Sequence, residues 1–472
     1  MSKQKRVLTF IIIIFVWFFY GYLIILYGKF NDGGWYTSSA ISIDKGLSLY
    51  KDFYFPHTPF YVYLYSFFLC FFSEPNILVG RFIHWFITSL LFAFLCLKLF
   101  KKTSKKSIFL FVILVLSNPC FIYYLSIIKS YSFVQVLLLI SLWTFLSENK
   151  KLSYFFLGLA SSMRISFIPI VFLYWFYDKE KSLKKVLLFL FPWIFLLHFD
   201  FIALKQNLYL PIKLFGVYIN EISAYHLQNV SALSLLAIFQ RKLAYLIQTL
   251  SLFLPFLLLV FYLRKNSKVK FLFYIFIMST LTHGLSLLPY DEYHSPLWLA
   301  LLFLSLFYIK TLQNKEFKNI IKVCAITFLI SLSRFKSKLV LEKSQILKLI
   351  KISNQIQKKV QTKKYKLLCF DAYMNVSTRF DFPKELIMSR FSFYYKWTEN
   401  QVKKHNVVNS IMIKKWIINK DFDFILLTNS EIEKMKLNKV VQENYFLISQ
   451  YNHLFELKEV SNLYALERIK LF

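Results

Sequence analysis

Residues 28–59 have the sequence GKFNDGGWYTSSAISIDKGLSLYKDFYFPHTP, the first long polar stretch after an apolar N-terminal segment. Charged side chains alternate here with aromatic rings, and two of the nine glycines in the chain, Gly33 and Gly34, directly follow Asp32. The preceding apolar run, residues 7–27, has about the twenty residues that a helix needs to cross a bilayer. The stretch therefore predicts a polar loop that a scaffold of membrane helices holds at one face of the bilayer.

The composition identifies the broad class of protein. Apolar residues make up 57% of the 472 residues, which is more than in ordinary soluble domains. The net charge of +33 would suggest a nucleic-acid partner in a soluble chain, but the Lys and Arg residues lie in short clusters between apolar runs. We therefore expect an integral protein of the cytoplasmic membrane with no nucleic-acid partner. The five scattered cysteines predict neither a disulfide framework nor a structural zinc site.

The basic clusters define a topology in which the N-terminus is cytoplasmic. Residues 60–72 are too short to span and predict an interfacial helix inside a first outer loop, residues 28–81. Residues 152–177 lie between two basic clusters and predict two half-depth helices that meet near Arg164. With this pair counted as two, eleven crossings result, the others being 7–27, 82–99, 108–123, 132–146, 186–201, 243–263, 271–288, 296–309 and 320–332. Residues 213–227 predict a further surface helix.

The composition changes after residue 333, where apolar runs become short and charged residues frequent. Four short runs predict strands: 365–373, 421–429, 444–451 and 454–460. Residues 338–360 show a helical pattern. We therefore predict two domains, a transmembrane domain over 1–333 and an extracytoplasmic α/β domain over 334–472. The second is large enough for a core of its own.

Ionisable residues at membrane depth or at the outer ends of spans are candidates for function. The predicted topology places seven of them at one membrane face: Asp32, His57, Lys129, Arg164, Asp291, Glu292 and His294. A carboxylate can accept a proton from an attacking hydroxyl, while Lys, Arg or His can neutralise charge on a departing phosphate. The pattern therefore predicts a substrate site that handles a phosphate ester. It predicts no metal site.

Each candidate also has a structural alternative. Asp32 could cap the helix that begins near Trp35, since Asp is a favoured N-cap residue. His57 could be a turn residue before Pro59, and Lys129 an interfacial anchor. Arg164 could snorkel or pair with a carbonyl at a helix end.

The remaining candidates leave similar alternatives open. Asp291 and His294 could lie on a loop surface or in a substrate cavity. Trp35 and Tyr36 could pack at the membrane interface or stack on a sugar.

Several stretches resemble the GT-C type integral-membrane glycosyltransferases, a group that includes protein O-mannosyltransferases and aminoarabinose transferases. The first is WYTSSAISIDKGLSLYKDF (35–53), followed by PHTPFYVYLYSFF (56–68), which together resemble the family's first outer loop. NPCFIYY (118–124), GLASSMRISFIPI (158–170) and HSPLWLALLFL (294–304) are similar to later blocks of the family. The resemblance covers roughly residues 5–310 and leaves the C-terminal domain without a family.

The resemblance implies roles for two residues of the first loop. Asp32 matches the catalytic carboxylate, and His57 falls where a lysine before proline commonly binds the donor phosphate. Gly33 and Tyr131 depart from the family, because many members carry acidic residues at both positions. Histidine would bind phosphate more weakly than lysine and in a pH-dependent way, since its reference pKa is about 6.5.

The expected function is transfer of one sugar from a polyprenyl-phosphate carrier to a lipid, glycan or protein acceptor on the outer membrane face. We expect a single inverting displacement with Asp32 as the base, and membrane lipids as further partners. The donor is a substrate, no cofactor is expected, and a divalent metal is left open. The alternative is a secondary transporter or flippase for an amphipathic substrate. A third hypothesis is a membrane anchor that displays the C-terminal domain.

Overall fold

The computed structural model describes residues 3–29, 32–72, 77–102, 105–198, 235–285, 289–308, 312–341, 344–360, 365–377, 380–394, 397–452 and 460–465. The chain divides into two compact units. Unit 1 consists of Met1–Ile25, Arg81–Leu196 and Ser234–Leu339, and unit 2 of Leu26–Gly80, Leu197–Leu233 and Val340–Phe472. The first loop thus belongs to the same unit as the C-terminal segment.

Unit 1 is helical throughout its described part. Its helices are built mainly of Leu, Ile, Phe and Val, and buried aromatic rings fill the spaces between them. The helices are α1 (Lys3–Tyr27) and α4 (Ile77–Lys102), which both continue into unit 2, then α5 (Lys105–Leu116), α6 (Pro119–Ser126), α7 (Tyr131–Leu146), α8 (Lys150–Met163), α9 (Ile170–Tyr177), α10 (Leu183–Leu190), α11 (Leu235–Leu252), α12 (Leu254–Tyr262), α13 (Ser267–Gly284), α14 (Ser295–Leu306) and α15 (Asn314–Ser337).

Breaks interrupt the apolar helices at Asn118 and at Arg164. Helices α5 and α6 meet at an angle of 74° at Asn118, which caps α6 by accepting a hydrogen bond from the amide of Phe121 at 3.3 Å. The Asn118 side chain also accepts a hydrogen bond from Ser331 (2.8 Å) and donates one to the carbonyl of Leu252 (3.0 Å). The helix α8 ends before Arg164, whose extended backbone separates it from a short 3₁₀ turn and α9. The predicted pair of helices that meet near Arg164 is therefore present.

One helix in the described part of the chain, Ile77–Leu99, is long and apolar enough to cross a bilayer by itself. Two bent pairs each qualify as one crossing when their helices are taken together: Lys105–Leu116 with Pro119–Ser126, and Leu236–Leu252 with Leu254–Tyr262. Other predicted spans contain shorter apolar helices, such as Tyr131–Leu146. The number of eleven crossings stays a prediction.

Helices α8 and α10 approach each other closely at Gly158. A Cβ atom at this position would lie only 2.2 Å from the carbonyl oxygen of Phe189 on α10. Backbone atoms cannot turn aside as a flexible side chain can, so the approach of the two helices requires glycine at position 158.

Unit 2 combines the first loop with a small α/β structure. The first loop forms α2 (Gly33–Asp44) and α3 (Phe60–Leu69), which contact each other through a hydrogen bond from Ser66 to the carbonyl of Ala40 at 2.9 Å. The C-terminal helices are α16 (Gln345–Val360), α17 (Ala372–Ser377), α18 (Glu399–His405), α19 (Ser410–Ile418), α20 (Asn429–Lys434) and α21 (Asn438–Asn444). The strands are β1 (Leu367–Cys369), β2 (Phe424–Thr428), β3 (Phe446–Asn452) and β4 (Val460–Ala465).

The four strands form one sheet in the order β1-β2-β4-β3. Strand β1 runs parallel to β2, with Leu368 opposite Ile425, while β4 runs antiparallel to both of its neighbours. Side chains from the sheet and from the surrounding helices form the buried core, which includes Leu368, Ile425, Ile413 and Ile417. The C-terminal segment therefore has its own hydrophobic core.

Three of the four predicted strands are confirmed at β1, β2 and β3. Most of the fourth predicted strand, residues 454–460, lies outside the described residues, and β4 begins at its last residue, Val460. The predicted surface helix at 213–227 and the end of the predicted span 186–201 also lie outside them. The predicted interfacial segment 60–72 forms α3.

Candidate active site

Helix α2 begins at Gly33, directly after Asp32. The carbonyl oxygen of Asp32 accepts hydrogen bonds from the amides of Trp35 (3.0 Å) and Tyr36 (3.3 Å). The carboxylate of Asp32 makes no capping hydrogen bond to the described helix. The structural alternative, that the Asp32 side chain caps α2, is therefore not observed.

His57 lies beside the first turn of α2. Its ring stacks on Tyr36 with 5.5 Å between ring centroids and meets Phe55 edge-on at 5.7 Å. The hydroxyl of Tyr50 donates a hydrogen bond to the carbonyl of His57 at 2.6 Å, and the side chain of His57 is exposed. The structure thus brings His57 to Tyr36, which lies about one turn from Asp32.

The rings of Trp35 and Tyr36 pack against other aromatic side chains. The Trp35 ring meets Phe391 of the C-terminal segment with 3.9 Å between centroids. Tyr36 is buried and contacts Tyr61 edge-on at 5.0 Å. The two rings therefore hold α2 in place, and Tyr36 also contacts a second candidate residue, His57.

Unit 1 contains a buried charged group in which Glu292 is central. The ammonium group of Lys129 lies 2.7 Å from Oε1 of Glu292, and the hydroxyl of Tyr131 donates a hydrogen bond to the same oxygen at 3.0 Å. Burial raises the pKa of Glu292, but the ammonium groups of Lys129 and Lys338 and the hydroxyl of Tyr131 together outweigh this effect and hold the pKa below its usual range. Lys129 is only 6% exposed. A solvated interfacial anchor is therefore a poor description of this lysine.

Arg164 joins this group through two tyrosine rings. Its guanidinium carbon lies 4.6 Å from the ring centroid of Tyr131 and 5.0 Å from that of Tyr293. Such cation–π contacts stabilise a positive charge without cancelling it. Lys129, Tyr131, Arg164, Glu292 and Tyr293 form a connected set that we call the Glu292 cluster.

Asp291 and His294 flank the two cluster residues in the 3₁₀ turn Asp291–His294. Asp291 pairs with Arg334 at 2.6 Å, and its pKa is raised because burial outweighs the opposing charge of Arg334. His294 is completely buried, with Nε2 at 2.7 Å from the hydroxyl of Tyr245, and burial lowers its pKa to about 3. Its imidazole is therefore uncharged at neutral pH and could offer a substrate only a neutral hydrogen bond.

The predicted site residues fall into two groups. Lys129, Arg164, Asp291 and His294 lie within unit 1, and Asp32, Trp35, Tyr36 and His57 lie within unit 2. Glu292 belongs to the charged residues predicted at the outer face, but the sequence assigns it no substrate contact, unlike its neighbour Asp291. Among the described residues, no group of three or more His, Cys, Asp or Glu side chains could hold a metal ion.

The crystal structure of ArnT from Cupriavidus metallidurans bound to undecaprenyl phosphate matches this chain with a TM-score of 0.62. The match covers 98% of both chains at 10% sequence identity. This chain has the ArnT fold. The structure of ArnT in the apo state matches with the same coverage and TM-score at 11% identity. No protein-family model matches the chain, and no curated protein does.

The similarity to ArnT confirms the fold class that the sequence predicts. ArnT is an aminoarabinose transferase of the GT-C type, so the resemblance inferred from the first loop and the later blocks is confirmed at the level of the fold. The protein is an α-helical polytopic membrane protein whose C-terminal part contains a small sheet.

Proposed function

We propose that the protein is a membrane glycosyltransferase whose donor is a sugar linked to polyprenyl phosphate. The observation that carries the proposal is the ArnT fold, which extends over 98% of the chain and whose crystal structure contains undecaprenyl phosphate. We take Asp32 as the base, because the resemblance of the first loop to GT-C enzymes implies a catalytic carboxylate here and a carboxylate can accept a substrate proton. The protein acts in the cytoplasmic membrane, with the acceptor at its outer face.

The reaction is a single displacement. An acceptor hydroxyl attacks the anomeric carbon of the donor sugar, and Asp32 accepts the hydroxyl proton. The bond between the anomeric carbon and the phosphate oxygen breaks, and its electron pair remains with the polyprenyl phosphate. The product is the glycosylated acceptor with an inverted anomeric centre.

Arg164 is a candidate cation for the departing phosphate, and its guanidinium group lies against the rings of Tyr131 and Tyr293. Fixed positive charge near a developing phosphate anion lowers the barrier without rearrangement during the reaction. We assign Lys129 a positioning role, because it pairs with Glu292 at 2.7 Å. In unit 2, His57 is a further candidate for a substrate contact.

The test compares the wild type with Asp32→Asn in membrane vesicles, whose own lipids, glycans and proteins serve as acceptors, using a polyprenyl phosphate that carries a radiolabelled sugar. We expect the wild type to release the sugar from the lipid and the variant to be at least about 100-fold slower, the usual scale of general-base catalysis. Asp44→Asn is the matched control, because Asp44 is an exposed carboxylate at the other end of the same helix.

Two results would contradict the proposal. One is near wild-type release by folded Asp32→Asn, which would remove Asp32 from the mechanism. The other is the absence of release by the wild type together with movement of the intact lipid between leaflets, which would favour the flippase alternative.

A further inference from the structure

Asp371 lies two residues after the end of strand β1 and is only partly buried. Its Oδ1 atom accepts hydrogen bonds from the amides of Tyr373 (2.8 Å) and Met374 (3.2 Å) at the start of α17. No hydrogen bond to its Oδ2 atom is present among the described residues. One oxygen thus anchors the carboxylate to the backbone, and the second keeps its capacity to accept a hydrogen bond.

The segment that carries Asp371 packs on the first turn of α2. A Cβ atom on Gly34 would lie 2.9 Å from Cδ2 of Tyr373 and 3.2 Å from Cβ of Ala372. Gly34 is two residues from Asp32, and Tyr373 is two residues from Asp371. The contact between Gly34 and Tyr373 therefore lies two residues along the chain from Asp32 on one side and from Asp371 on the other.

Two further contacts fix this arrangement within unit 2. The Trp35 ring lies against Phe391, and the hydroxyl of Ser39 donates a hydrogen bond to Sδ of Met388 at 3.4 Å. Ala372, Tyr373, Met388 and Phe391 thus contact the first half of α2. The C-terminal segment forms one side of the surroundings of α2.

Three groups set the charge around Asp371. Arg390 attracts it, Glu431 repels it, and the thiol of Cys369 lies on the preceding strand. Arg390 also binds Glu431 with two hydrogen bonds of 3.0 and 2.7 Å, so its charge is largely compensated. Burial raises the pKa of Asp371 to about 6 despite Arg390, so this carboxyl ionises between mildly acidic and neutral pH.

We propose that Asp371 binds the acceptor of the transfer reaction by accepting, through Oδ2, a hydrogen bond from a hydroxyl group of an acceptor sugar. This inference rests on the proposed function, since it assigns binding of the acceptor in that reaction to the C-terminal segment. A carboxylate offers only acceptor oxygens, which suits a ligand rich in hydroxyl donors. Asp371 holds the acceptor, while Asp32 takes the proton.

The test measures binding of methyl glycosides of glucose, galactose, mannose and N-acetylglucosamine to the nanodisc-embedded protein by titration calorimetry. The wild type should bind at least one of them, and Asp371→Asn should weaken that binding about tenfold or more, as expected for a lost charge-assisted hydrogen bond. Asparagine can still cap α17 through its carbonyl oxygen, so the fold should survive. Asp381→Asn is the matched control, because Asp381 is an exposed carboxylate in the same unit.

A pH series adds a readout that a merely structural role would not change. Wild-type affinity for the glycoside should rise between pH 5 and pH 7 as Asp371 ionises, and the affinity of Asp371→Asn should stay level. Unchanged affinity in Asp371→Asn, or no glycoside binding by the wild type, would overturn the inference. Release of sugar from the lipid donor by the wild type, and its loss in Asp32→Asn, would still support the proposed function in that case.

Discussion

Glu292 shows how a single residue organises the polar end of unit 1. It binds Lys129 and Tyr131 with the same carboxylate oxygen, and Tyr131 in turn lies under Arg164. Removing one partner of such a buried pair leaves an uncompensated charge. The resulting loss of stability is larger than the net stability that the intact pair contributes. The arrangement therefore fixes the position of Lys129 before any substrate binds.

The sequence indicated this group of residues only in part. Lys129, Arg164, Asp291 and Glu292 stand out in the sequence because charges at the ends of apolar runs are unusual. Glu292 and Asp291 are adjacent in the sequence, and nothing in their spacing shows which of them faces Lys129 and which faces Arg334. The uncharged state of His294 depends on its complete burial. The polar sequence around His294 gives no indication of that burial.

His294 gives a prediction about the pH dependence of stability. Its pKa is about 3 in the folded protein, against 6.5 for the ordinary side chain. Between these values the unfolded state binds more protons, so the free energy of unfolding rises with pH up to about 6.5. Lowering the pH from 7 to 5 should therefore cost about 2 kcal/mol through this residue.

The measurement compares this loss in the wild type and in His294→Gln, whose amide can still bond to Tyr245. The variant should lose about 2 kcal/mol less between pH 7 and pH 5 in denaturant unfolding. His57→Gln serves as a control, because its ring is exposed. Equal losses in the wild type and His294→Gln would show that His294 takes up a proton without unfolding.

At the scale of elements, the packing of α8 on α10 depends on the missing side chain of Gly158. Gly158→Ala should place a methyl group 2.2 Å from the carbonyl oxygen of Phe189, so the two helices must separate. We expect a loss of about 1–3 kcal/mol, the range for overpacked interiors, seen as a lower thermal midpoint in detergent.

The matched control for this prediction is Gly284→Ala in α13. Its Cβ atom would lie 3.4 Å from Cε1 of Tyr245, an ordinary contact. Equal thermal midpoints for both alanine variants would contradict the close approach of α8 and α10.

Element boundaries were predictable where a particular residue causes them. Asn118 with Pro119 ends one helix and begins the next, because proline lacks an amide donor and asparagine caps the following turn. The runs that became β1, β2 and β3 were visible as short apolar segments. The order β1-β2-β4-β3 was not predictable, because strand pairing joins residues that are distant in the sequence.

At the scale of the whole molecule, unit 2 joins the two ends of the sequence. The side chain of Asn406 donates a hydrogen bond of 2.7 Å to the carbonyl of Lys51, and the amide of Val340 donates one of 2.8 Å to the carbonyl of Tyr27. A pairing over more than 300 residues leaves no local pattern in the sequence. The sequence therefore predicted the first loop and the C-terminal domain separately but not their union.

This union predicts the outcome of cysteine labelling in intact cells. Lys45 and Lys404 are exposed residues of unit 2, so Lys45→Cys and Lys404→Cys should both react with an impermeant reagent added outside. Lys105→Cys, in the basic cluster assigned to the cytoplasm, should react only after permeabilisation. The exposed Cys70 is first replaced by serine.

The labelling pattern tests both the existence of unit 2 and the predicted membrane topology. Reaction of positions 45 and 404 from opposite sides would contradict the existence of unit 2. Reaction of position 105 from outside would invert the topology and make residues 60–72 a crossing.

Unit 2 combines segments that are synthesised at different times, and this determines when it can fold. Residues 26–80 leave the ribosome before the segment from Val340 onward, with which they fold, and 340 minus 80 leaves about 260 residues between them. At the usual rate of synthesis this interval lasts on the order of 10–50 seconds. Helices of unit 1 can associate in the meantime, but α2 lacks the surface that Tyr373, Phe391 and Met388 provide. An unfinished chain thus carries α2 without these contacts, and we expect unit 2 to fold only after the segment from Val340 onward has been synthesised.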